Sequence, residues 1–537
     1  MANVKISELP AASAAVAANE FEINEAGTSK KVTGTQVAAF VEGVVSSAPS
    51  FTGQVSLADG SAAAPSLSNT GDLNTGLLFP AADTVGVSVG GTQRLTVGTT
   101  GVTVNGDIAT TTSGSQNFVA GVDAGSSIAS GGNQNVLLGD GAGATVSTGD
   151  GNIAIGFEAG NDISTGGYNL LIGWKAGDKI DTASSNVAIG DGSLSTDTKG
   201  AKSVALGSNT LNTQNFTTAT DTYNVAIGYN AGQKLTVGVQ NTLIGGSAGD
   251  AMTDADGNIA IGFEAGNDIT TGSYNTVVGW KAGDKINTAS SNTGIGDGAI
   301  GAETKGAKSV AVGSNALNQQ NFTTAVDAYN VAVGYNAGQG ITTGVNNTLI
   351  GGLAGDALTG DSGYSGGANN VAVGRAALGA DTLGSSSVAI GFETLLAQNF
   401  TTTTESVNTA VGHRAGLAVT IGVENTLIGG YAGDALTDAG YNVAIGARAL
   451  GADTLGSRSV AIGQGALSTQ NFTTATNSNN VAVGYDAGLA ITTGTSNTFV
   501  GASAGDSVTS AANNTFVGAL CGGTTATGAQ NTAMGVT

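Results

Sequence analysis

One five-residue phrase constrains this chain more than anything else in it. Asn or Ser, two small or apolar residues, an aliphatic residue and Gly recur 24 times between Asn117 and Asn531. Most copies start 17 residues after the last, and four intervals are 21. Such a period is too short for a domain and too regular for loops. It predicts a solenoid, in which each coil buries its apolar face only by stacking on its neighbours.

Composition alone, with 88 Gly and 10% charged residues, also describes a disordered low-complexity polymer. Against that, the 40% of hydrophobic residues fall in strict register. A Gly closing every phrase breaks any helix. Parallel strands joined by Gly-rich turns satisfy both facts. The predicted class is therefore all-β, a parallel β-solenoid (β-roll) of about 23 coils, each rising by one strand spacing into a rod of about 110 Å.

Aligning the copies with one another gives a template. Position 1 is Asn in 20 copies and Ser in four; position 2 is mainly Val, Ile or Thr, position 3 mainly Ala or Leu, position 4 mainly Ile or Val. Ala follows at 8, Gly or Leu at 9, often Asp at 10, and an aliphatic residue near 12. Two strands per coil are expected, NVAIG and a second resembling DxIT. The Asn residues, among them Asn152, Asn169, Asn224, Asn241, Asn258 and Asn275, are expected to stack as an amide ladder. A plain turn-forming role for Asn is an equal and compatible reading.

Strand side chains alternate between faces, so positions 2 and 4 share one face and position 3 takes the other. Position 3 is nevertheless apolar, as at Leu171, Leu243, Leu349 and Leu427. If 2 and 4 line the coil's own core, an identical chain is the economical cover for position 3, and a homotrimer about the long axis is the simplest closed parallel assembly. NVAIG and NTLIG also suggest that positions 2 and 3 share limited space.

The four Ser copies, Ser203, Ser309, Ser387 and Ser459, each open a longer coil whose insertion carries Phe216, Phe322, Phe400 or Phe472 after Gln-Asn. Insertions in solenoids map to one face and often make the contact surface, so these rings are candidate receptor contacts; folding back over the core edge is the equal alternative. Trp174 and Trp280, each in GWKAGDK, are further candidates that could stack on sugar rings.

Outside the repeats, residues 1–50 read as a head with an extended segment and a short amphipathic helix over 35–45. Residues 51–114 read as a β-rich shaft or collar of alternating strands and Gly turns; residues 115–537 are the solenoid.

Enzymatic chemistry has little to work with. His413 is the only His, and no nucleophile triad, zinc spacing or phosphate loop can be assembled. Glu158 and Glu264 recur in identical GFEAGND contexts as duplicated surface residues rather than a hydrolytic pair. The recurring Asp at position 10, for example Asp178, Asp250 and Asp284, lacks a calcium β-roll motif and reads as a turn former. Cys521 alone excludes an intrachain disulfide. No cofactor or metal is expected. A net charge of −22 with 17 Lys and Arg argues against nucleic acid. The start shows no secretion signal and the chain no bilayer-spanning segment, so no membrane insertion is expected.

SVALGSNTL, SVAVGSNAL and NVAIGYNAG resemble the head repeats of trimeric autotransporter adhesins, which implies a trimeric left-handed β-roll, although the period of 17 is longer than that family's. MANVKISELPAA with GTSKKVTGTQV resembles the attachment region of bacteriophage tail fibres, and residues 60–97 are similar to shaft modules of such fibres. This likeness implies a virion protein assembled in the host cytoplasm and docked on a tail or capsid protein through residues 1–50. It also implies a chaperone domain or capping partner beyond NTAMGVT. The function expected is a structural tail fibre adhering to a host surface receptor, a glycan among the candidates. The alternative is a spike or brace of the tail or capsid that binds no receptor.

Overall fold

The computed structural model describes residues 58–104, 112–363, 365–524 and 527–536, and the backbone of 20–25 and 28–33. The helix expected over 35–45 lies outside these residues. The chain divides into two compact units, 1–108 and 109–537.

In the first unit, β1 (Glu20–Glu25) and β2 (Thr28–Thr33) form an antiparallel hairpin. A separate antiparallel meander follows: β3 (Leu67–Asn69), β4 (Asp72–Ala81), β5 (Thr84–Val89), β6 (Thr92–Gly98) and β7 (Gly101–Val104). Leu78 is its buried apolar anchor.

The second unit is a parallel β-solenoid. Positions 2 to 4 of each phrase form a three-residue strand, from Phe118–Ala120 to Thr532–Met534, and each strand pairs in register with the strands of the coils before and after it. The closing Gly sets how closely coils approach. At position 5 its φ lies between 130° and 144°, a region hostile to L side chains. A Cβ on Gly173 would stand 2.6 Å from the carbonyl oxygen of Gly190 in the next coil. Any side chain there would force the stack apart.

The second strand expected in every coil does not form. Positions 7 and 9 adopt positive φ in most coils, which bends the chain before three extended residues accumulate. Backbone bonds still join coils there, as from Thr145 N to Asn161 O at 3.0 Å. Among the described residues, a second short ladder appears only at the four long coils, where Gly200–Ala201 pairs Thr220–Asp221 and the other three repeat the arrangement.

The two faces of the strand are the reverse of the sequence expectation. Position 3 is the chain's own core: Leu137, Ala154, Leu171, Ala188 and their successors are fully buried, with Ala at 8 and the aliphatic residue at 12. Positions 2 and 4 face outward and stay partly exposed. The interior is too narrow for two side chains per strand, so the single inward position takes it. Positions 2 and 3 therefore lie on opposite faces and do not compete for space.

Position 3 instead trades volume with position 9. Leu171 wedges between Gly160 and Gly177; a Cβ on either Gly would fall 2.7 Å from a Leu171 methyl. Leu243, Leu349 and Leu427 sit between glycine pairs in the same way. Where position 9 is large, as at Leu194, Leu211, Ile300, Leu317, Leu378, Leu395, Leu450 and Leu467, position 3 of that coil and the next is Ala or Gly. These eight residues hold φ between 46° and 54°, strained by about 1–2 kcal/mol each. Burial of a whole aliphatic side chain, about 1.5–3 kcal/mol, offsets that strain.

Because position 3 is internal to one chain, Leu243→Ala should cost about 2–5 kcal/mol of local stability. Hydrogen exchange over residues 235–260 should rise while the solution mass of the protein stays unchanged.

Candidate functional site

Two constructions distinguish parts of the rod from plain repetition: buried polar keys at the long coils and open grooves on the coils beside them.

The Asn ladder forms the background. Asn152 donates its backbone N–H (2.8 Å) and its amide (3.2 Å) to Asn135 Oδ1, and its amide also reaches Gly166 O at 2.9 Å. Asn169 bonds Asn152 likewise, and Asn241, Asn258 and Asn275 continue the column from Asn224. The side chains are buried, so the amide both seals the turn below and joins the coils.

At the four Ser copies the ladder lacks an amide, and a Gln at position 12 supplies one. Gln214 Oε1 accepts from Asn224 Nδ2 at 2.9 Å, and Gln214 Nε2 donates to Ser203 Oγ at 3.0 Å and to Asp197. Asp197 also accepts from the backbone N–H of Gly200 (2.9 Å) and Phe216 (3.3 Å). Asp381 with Gln398 and Asp453 with Gln470 repeat the set, and Glu303 with Gln320 is its Glu version. All four carboxyl side chains are fully buried, and no cation bonds them. Three neutral donors offset the several kcal/mol that burying a lone carboxylate costs. Among the described residues, polar side chains stand at position 12 only in coils where the aliphatic residue has moved to position 9.

Phe216, Phe322, Phe400 and Phe472 belong to these keys. Each is at most 6% exposed, and a Cβ on Gly200 would lie 2.9 Å from the Phe216 ring. The rings fold back over the carboxylates, which is the alternative the sequence left open beside a receptor contact, and all four are buried.

Trp174 and Trp280 are on the surface, 53% and 54% exposed. Each carries a lysine ammonium over its ring, Lys175 at 5.1 Å and Lys281 at 5.0 Å. Those lysines pair with Glu158 (3.0 Å) and Glu264 (3.1 Å) one coil earlier, so the duplicated glutamates tether lysines. Beside Trp280 lies an open groove of about 310 Å³, with Lys281, Asp284, Asp297, Gly298, Asn315 and Asn318 on its walls and floor. A groove of about 450 Å³ occupies the matching place near Tyr431, Asp434 and Arg448. Both open over a coil that holds a buried carboxylate and has Gly at position 10, Gly301 or Gly451. Partial burial pushes the carboxyls of Asp178, Asp284, Asp356 and Asp434 upward, and Lys179 and Lys285 pull the first two partway back. His413 stacks on Phe392 at 5.3 Å and stays exposed. Among the described residues no cluster of His, Cys, Asp or Glu could hold a metal ion, and no helix is long and apolar enough to cross a membrane.

Asp381→Asn keeps the shape of the key but sets Asn against the Gln398 amide with donors facing donors, wherever the amides flip. It should cost about 1–3 kcal/mol, and adding Gln398→Glu should restore most of it, read as hydrogen exchange over residues 378–408. In the longest interval, Asp361 accepts from Thr403 Oγ1 at 2.6 Å and Ser365 N at 2.9 Å, which lowers its pKa from 3.8 to about 2. That stabilisation is complete above pH 3.8 and is lost as pH falls through about 2, so Thr403 should keep its NMR shift at pH 3 and lose it near pH 2.

No family model matches the chain, and neither the curated proteins nor the solved structures contain a match.

Proposed function

We propose that this chain is the rod of a homotrimeric virion fibre that adheres to a host cell surface. The observation that carries the reading is one-sided exposure of apolar groups on a long regular rod. Nine of the large apolar side chains exposed in the solenoid stand at positions 2 and 4 on the strand face, from Phe118 to Met534, whereas Trp174 and Trp280, at position 6, lie beyond it. The strand face alone covers about 110 by 10 Å, or about 1,100 Å². A standard interface takes about 800 Å² from each partner. Exposed apolar area of this size marks an interaction surface. Identical chains fit it best, because identical columns meet in register only when the copies run parallel.

Three chains around one axis would turn the strand faces inward and the grooves outward. A rod that repeats the same exposed side chains presents many weak contacts at once, and effective concentration turns those into firm attachment. Docking on a tail or capsid protein through residues 1–50 rests on the resemblance of MANVKISELPAA to fibre attachment regions.

Light scattering on the purified chain should give three times the 51.8 kDa monomer mass. Ile259→Lys, Ile350→Lys and Ile428→Lys together should reduce it to one. A monomeric wild type would remove the trimer. The adhesive role is tested on virions lacking residues 115–537: loss of adsorption with intact assembly supports it, whereas failed assembly with normal adsorption of the residue particles makes the chain a brace.

A further inference from the structure

The surface beside Trp174 is built like the groove at Trp280. In each, the residue after the Asp at position 6 of the next coil is Gly: Gly192 below Trp174, Gly298 below Trp280. Both have φ of 62°, and both donate their N–H to the carbonyl of the Trp, at 2.9 and 3.0 Å. A Cβ on Gly298 would lie 2.9 Å from Asn315 Oδ1 and 3.1 Å from Asn318 Nδ2; on Gly192 the distances are 3.0 Å to Asn209 Oδ1 and 3.3 Å to Asn212 Nδ2. A side chain at this floor would fill the space in front of two amides. Those amides are fixed: Asn318 and Asn212 each donate to the floor glycine's carbonyl at 2.8 Å.

The lining therefore combines a half-exposed indole with carboxylates and amides that supply both acceptors and donors. An apolar ligand would strand these polar groups, and a purely polar one would leave the indole in water. A pyranose ring satisfies both, with its C–H face on the indole and its hydroxyls toward the amides and carboxylates. The charges select a neutral sugar. Lys281 is held by Glu264, Lys285 by Asp268 at 3.0 Å, and beside Trp174 Lys179 by Asp162 at 2.9 Å, so each lysine is already paired. On a chain of net charge −22 an acidic sugar gains nothing from them. We infer that the Trp174 surface and the Trp280 groove are two equivalent binding sites for neutral pyranosides. This rests on the adhesive reading and specifies its ligand class. The sites are six coils apart in the same column, about 29 Å along the rod, a spacing suited to a repetitive glycan surface.

These are the only two tryptophans in the chain, so tryptophan emission, excited beyond the absorption of the ten tyrosines, reports on these two positions. The full-length protein is titrated with the methyl glycosides of D-galactose, D-glucose and N-acetyl-D-glucosamine. At least one should shift the emission saturably, with half the amplitude in Trp174→Phe and in Trp280→Phe and the same midpoint. On a surface densely coated with that sugar, the Trp174→Ala/Trp280→Ala protein should be retained at least tenfold less than wild type. Emission unmoved by all three glycosides, retention unchanged in the double variant, or a response to sialylated sugars alone would each overturn the assignment. Virions carrying the double substitution separate the two ideas. Normal adsorption there, with loss on solenoid deletion, leaves the adhesive rod standing and removes these sites from it.

Discussion

Everything in the rod depends on the distance between successive coils. Parallel strand pairing demands about 4.8 Å between backbones, and the coil must return to the same place every 17 residues to meet it. Gly at position 5 makes that approach possible, because its carbonyl comes within 3 Å of where the neighbouring glycine's Cβ would stand. The Asn at position 1 then uses the closeness, since an amide of that length reaches the next coil's amide only when the spacing is met. Glycine permits the stack and asparagine fastens it, which explains why these two residues bracket 20 of the 24 strands, Ser replacing Asn in the other four.

That spacing leaves a thin interior, and the remaining sequence choices follow from how it is filled. Most coils contribute one inward strand residue, one Ala, and one large side chain from position 12 or position 9. A Leu at position 3 uses the room left by two neighbouring glycines, and a Leu at position 9 needs small residues at position 3 on both sides. Moving the aliphatic group from 12 to 9 frees position 12 for a carboxylate or an amide. The polar keys are thus a consequence of core packing, made affordable by a backbone strain of about 1–2 kcal/mol at each left-handed Leu.

The period, the strand at NVAIG, the parallel solenoid and the stacked Asn column were legible in the sequence because each recurs at a fixed offset. The orientation of the strand was not. Positions 2, 3 and 4 are all apolar, so alternation alone could not say which side is the core, and the larger residues at 2 and 4 suggested the wrong one. The keys left a signal that went unread: Asp197, Glu303, Asp381 and Asp453 each stand 17 residues before a Gln and six before a Ser copy. Reading position 12 as aliphatic on average hid them. The insertion aromatics stayed ambiguous for a related reason, since a Phe in a polar insertion can cover the core edge or face outward until the carboxylate beneath it is known.

The coils that carry the carboxylates also shape the exterior. With the large side chain at position 9, the outer turn at position 10 shrinks to Gly301, Gly379 or Gly451, or to Ser195, while the coil before keeps a full Asp there. A step between a large and a small turn is a groove, and grooves open over the Glu303 and Asp453 coils. The polar pairing makes such a coil specific for the coil that follows, because an aliphatic residue cannot replace the Gln without stranding a buried carboxylate. Interior register and exterior relief are therefore set by the same substitution. A perfectly uniform repeat would present a smooth surface and could slip by a whole coil; the keyed coils give this rod a unique alignment, and grooves of about 450 and 310 Å³ open over two of them.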